Sequence, residues 1–133
     1  MKITKLVLVI GLAALGMACG YSHKTTPTMA GSMPTIVSLN PATATHGDPG
    51  FTMTVTGTNF NQNAFVTFTI NNTPTNMMTS WTDSAHVKAQ ITMSAVANAG
   101  TAQVTVTNPG QSGGIYGGGT TTVVSAPMNF TIN

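Results

Sequence analysis

An all-β sandwich of about seven strands is the fold that the sequence predicts, on three observations. Apolar residues recur with a period of two from Pro34 onward, turn-forming clusters interrupt them at short intervals, and no stretch carries the 3.6-residue period of a useful helix. The elements follow in order. Thr35 to Asn40 gives a first, weaker strand, and Phe51-Thr52-Met53-Thr54-Val55-Thr56 gives a half-buried one in which apolar side chains alternate with threonine. The same alternation predicts strands over Val66 to Ile70, Val87 to Met93, Val104 to Thr107 and Met128 to Ile132. Another weaker strand falls at Met77 to Trp81, where paired methionines break the alternation. Turn chemistry separates them at His46 to Gly50, Gly57-Thr58-Asn59, Asn71-Asn72-Thr73-Pro74, Asn98-Ala99-Gly100 and Asn108-Pro109-Gly110. Threonine, present 25 times in the chain, supplies much of the polar half of the strands, because a branched Cβ suits the pleat and the hydroxyl stays hydrated. Gln111 to Thr122, with Gly113, Gly114, Gly117, Gly118 and Gly119, reads as a long mobile loop before the last strand.

The 133 residues have room for one small domain. Charged residues make up 5% of them and hydrophobic residues 41%, which excludes a charge-driven disordered chain. Two of the four cations, Lys2 and Lys5, lie at the N-terminus, and the remaining Lys24 and Lys88 balance Asp48 and Asp83. The body is near neutral and has no Arg, so nucleic acid is not an expected partner.

Residues 1–18 have the three-part layout of a signal peptide: two lysines, an apolar run from Leu6 to Leu15, then small residues before Cys19. The apolar run is too short for a permanent membrane span. Leu15-Gly16-Met17-Ala18-Cys19-Gly20 resembles the lipobox of bacterial lipoproteins, with Gly16 where leucine is usual. That resemblance implies an acylated Cys19 as the mature N-terminus and a membrane anchor; ordinary cleavage after Ala18 would instead release the protein. As the only cysteine in the chain, Cys19 has no partner for an internal disulfide. Residues 19–33, rich in Ser, Thr, Pro and Gly, read as a flexible tether, and residues 34–133 as the domain.

Within residues 34–133 the pattern resembles the immunoglobulin-like IPT/TIG domains. The resemblance rests on Pro34-Thr35-Ile36-Val37-Ser38-Leu39-Asn40-Pro41 and on Thr54-Val55-Thr56-Gly57-Thr58-Asn59-Phe60, of which Gly57 to Phe60 is the most specific piece. Ala99-Gly100-Thr101 leading into Val104 to Pro109, and Phe130 in the last strand, extend it. Asn71-Asn72 departs from the pattern by standing where a glycine-containing turn is common. The resemblance implies an immunoglobulin-like β-sandwich serving as a binding or spacer module, with no catalytic residues to carry over.

The residues offer little chemistry of their own. His23, His46 and His86 are scattered, and with only two carboxylates no set of three or four metal ligands is expected. His46 and Asp48 read as a hydrogen-bonded turn pair. Asp48 and Asp83 are the only possible acid–base pair, no serine sits in a Gly-x-Ser-x-Gly elbow, and the glycine run lacks the lysine of a phosphate loop. No catalytic residue, metal or cofactor is expected. Trp81 is expected in the core, and Tyr116, beside the glycines, is a candidate for stacking on a sugar face.

The expected function is a non-enzymatic module of the bacterial cell envelope, at the outer membrane or cell surface. It would be a monomer held by a lipid on Cys19, presenting loops or a sheet face to an envelope protein or glycan. A fibre subunit assembling through sheet edges is the alternative, because strands with no Glu and no Lys but Lys88 leave edges poorly defended. A spacer or carbohydrate-binding accessory domain is a third reading.

Overall fold

The computed structural model describes residues 29–113 and 118–133. Its strands are β1 (Met29–Ala30), β2 (Thr35–Asn40), β3 (Thr43–Ala44), β4 (Phe51–Thr58), β5 (Phe65–Ile70), β6 (Thr73–Asn76), β7 (Met78–Asp83), β8 (His86–Ile91), β9 (Gly100–Asn108), β10 (Thr120–Thr121), β11 (Val123–Val124) and β12 (Met128–Ile132). One sheet has the order β2-β4-β8-β7; the other has the order β3-β12-β9-β5-β6, with β11 also on β9. The described residues hold no α-helix, only a 3-10 turn at Met93–Val96.

Alternation builds the core. Met53 and Val55 on β4 and Val87, Ala89 and Ile91 on β8 point inward from one sheet. They meet Val66 and Phe68 on β5, Val104 and Val106 on β9, and Phe130 on β12. Phe130 stands edge-on to Phe68, with ring centres 5.6 Å apart. Phe60 and Ala64 close one end of the sandwich and Val96 belongs to the same buried cluster.

Several elements differ from the sequence expectation, each for a local reason. β8 ends at Ile91 instead of Met93, because the chain turns so that Val96 is buried, leaving Met93 58% exposed. The strand expected at Met77 to Trp81 is β7, and an unexpected strand, β6, precedes it; β6 borders one sheet and β7 the other, with the buried Met77 at the crossover. Asn71 and Asn72, both at positive φ, make the two-residue hairpin turn between β5 and β6, so asparagine takes the left-handed conformation usually given to glycine. Thr73 and Pro74, read as turn residues, therefore already belong to β6. The expected mobile loop is pinned at its base, since Thr120 N–H donates to Gln111 O at 2.9 Å and Gly110 N–H to the Thr122 hydroxyl at 2.9 Å.

The last strand is not an edge. β12 lies between β3 and β9, and Ser125 bridges its entry by donating and accepting backbone hydrogen bonds with Val106. Residues 29–33, expected at the end of the tether, are laid against the domain: β1 pairs with β10, and Asn108 donates to Ser32 O at 2.9 Å.

Candidate functional site

Cys19, His23 and Tyr116 lie outside the described residues, as do the expected signal peptide and the first part of the tether. Trp81 differs from its expected core position. It faces inward opposite Val87, but β7 has a neighbour on one side only, so the indole lies at the rim, 36% exposed, and donates to Phe60 O at 3.1 Å.

Among the described residues the titratable groups do not converge. Asp48 accepts from Thr45 N–H at 2.8 Å, while His46 Nδ1 lies 2.8 Å from Asn133 O, so the two turn residues hold the backbone instead of each other. Asp83 accepts from Ala85 N–H at 2.7 Å and lies 2.9 Å from His86 Nδ1. The Ala85 N–H and then the His86 ring hold the Asp83 carboxyl below its ordinary value. Asp48 precedes β4 and Asp83 sits beside its far end, which puts about 20 Å between them by strand rise. Paired carboxylates in glycoside hydrolysis stand about 5 to 9.5 Å apart, so these two cannot form such a pair.

The motif around Gly57 does structural work. A Cβ on Gly57 would fall on Thr35 O and against the Phe60 ring, Asn59 takes φ 61°, and Phe60 is 2% exposed. Asn108, 3% exposed, completes the arrangement. Its amide nitrogen donates to Ser32 O at 2.9 Å and Asn59 O at 2.7 Å, and its oxygen accepts from Asn61 N–H at 3.1 Å. The polar groups of Asn108 are thereby committed to the fold, at the wall of a cleft of about 330 Å³ that Ser32, Asn59 and Asn61 also line.

A different set of polar side chains is left open. On the outer face of the six-stranded sheet, Thr69, Gln103 and Asn129 are direct cross-strand neighbours on β5, β9 and β12. With Thr101 beside them and Asn71-Asn72 at the hairpin, they line a cleft of about 420 Å³ that contains no charged residue. In the sequence Thr69, Thr101, Gln103 and Asn129 are ordinary members of the polar half of their strands, and only the pairing register brings them together beside the Asn71-Asn72 turn.

Two packed, mainly antiparallel sheets with a closed core define the class of the molecule as an immunoglobulin-like β-sandwich module. The chain matches the IPT/TIG domain model over residues 34–124, and it belongs to the IPT/TIG domain family. The match ends at Val124, whereas the sandwich also takes in β12. Domains of this family are in general non-catalytic binding or structural modules. A comparison with curated proteins finds no match.

Proposed function

We propose that this chain is a non-enzymatic display module of a bacterial cell envelope, held by a lipid on Cys19 and contacting a protein or glycan through its sheet faces. The sequence layout supports the anchor: a short apolar run ends at a lipobox-like Cys19, and polar residues follow.

The observation that carries a module over a fibre subunit is the state of the sheet edges. β2 bulges at Val37 and β7 at Thr82; β6 has four residues and includes Pro74; β3 has two. Bulges, proline and shortness are the devices by which edge strands resist pairing with a neighbour, and they replace the missing lysines here. The faces remain available for contact. Light scattering on the processed chain across a wide concentration range tests this reading. A constant monomer mass is expected, and concentration-dependent polymers would overturn the module in favour of the fibre.

A further inference from the structure

We infer that the cleft on the outer face of the six-stranded sheet binds an uncharged glycan, with Thr69, Gln103 and Asn129 as the contact row and Asn71, Asn72 and Thr101 as its border. This deepens the module reading above and rests on it.

The first support is a contrast in hydrogen bonding. In the neighbouring row of the same sheet, the Thr67 hydroxyl donates to Asn76 Oδ1 at 2.8 Å, and on the other sheet Gln90 donates to the Thr52 hydroxyl at 2.8 Å. Threonine next to a planar amide thus pairs across strands on these surfaces. In the cleft, Thr69, Gln103 and Asn129 are equally well placed as cross-strand neighbours, yet none of its six lining side chains enters a hydrogen bond among the described residues. Their donors and acceptors are unused within the described residues and are open to an external partner.

The second support is the kind of group present. Each amide offers a donor and an acceptor in one plane, and each hydroxyl does both, which suits the paired hydroxyls of a sugar. Cross-strand neighbours repeat at about 5 Å, so the row of three presents amide and hydroxyl groups over a length comparable with one or two sugar rings. No charged side chain lines the cleft, which disfavours acidic sugars and phosphorylated ligands, and no large apolar one lines it either, which disfavours a lipid chain or an apolar peptide anchor. The other sheet's outer face differs, carrying Lys88, His86 and Asp83.

The experiment is a titration of the 15N-labelled chain from Cys19 to Asn133 with cellohexaose, maltohexaose, chitohexaose and xylohexaose, and with hexagalacturonate as the charged counterpart. At about 10 mM sugar, a range that captures weak millimolar binding, at least one neutral oligosaccharide should shift the side-chain amides of Gln103, Asn129, Asn71 and Asn72 saturably. Gln103→Glu should weaken that binding about tenfold with an unchanged melting temperature, whereas Gln90→Glu on the opposite face should leave it unaltered. The inference is overturned if no neutral sugar moves those amides, if Gln103→Glu binds as well as the parent, or if hexagalacturonate binds preferentially around Lys88. A monomeric chain that fails this titration loses the glycan and keeps the module reading, while polymers in light scattering defeat the module reading itself.

Discussion

Asn108 joins three separate stretches of chain through one buried amide: the residues before β2, the loop after β4 and the end of β9. Asn108→Ala removes two donors and one acceptor and leaves their backbone partners without compensation. We expect a loss of about 2 to 4 kcal/mol in urea unfolding, against well under 1 kcal/mol for the exposed Asn129→Ala. Equal costs for the two would contradict the assigned role. At Asp83 the sign of the pH dependence follows from its lowered pKa. The carboxylate contributes stability above its unfolded-state value, near pH 4, and the contribution is lost as the pH falls through the lower folded value. Asp83→Asn should therefore flatten the acid limb of a stability–pH curve while leaving its shape above pH 6 unchanged; an unchanged acid limb would show that the Ala85 and His86 contacts do not matter in solution. The importance of Gly57-Thr58-Asn59-Phe60 was legible in the sequence as a family-like pattern. The reason for it was not, because the Thr35 carbonyl that excludes a Cβ at Gly57 comes from another strand.

At the scale of elements, the position of β12 decides what a deletion does. Removing Met128 to Ile132 takes out the strand between β3 and β9 together with buried Phe130 and Ile132. Loss of the cooperative unfolding transition is expected, and a folded truncated domain would contradict this register. Trp81 gives the opposite case. Its place at the rim of β7 predicts that Trp81→Ala costs about 1 to 2 kcal/mol, below the 3 to 5 kcal/mol typical of an aromatic residue in a core. Strand existence was mostly readable from alternation: Thr35 to Asn40 and Met128 to Ile132 occupy the predicted spans. Alternation could not reveal the crossover at Met77, because β6 and β7 exchange sheets without a loop. It also could not reveal the short strands β3, β10 and β11, whose two residues are too few to show a period.

Across the whole molecule, near-neutral composition and blunted edges act together. With so few charges in the domain, association with a neutral partner should owe little to long-range steering. Affinity for a neutral oligosaccharide should change less than twofold between low and high salt, and a steep salt dependence would point to charged contacts instead. The cleft was invisible in the sequence because threonine, asparagine and glutamine recur at outward positions of the six-stranded sheet, and only register separates paired ones from open ones. The proposed anchor is the reverse case, since it rests wholly on the order of residues before Met29.

Display on the envelope is tested most directly by the intact mass of the processed protein recovered from the envelope fraction of a bacterial host. The expected result is a chain beginning at Cys19 with the added mass of a thioether-linked diacylglycerol and an N-terminal acyl group. A chain starting at an unmodified Cys19, or found free in the medium, would contradict an anchored module.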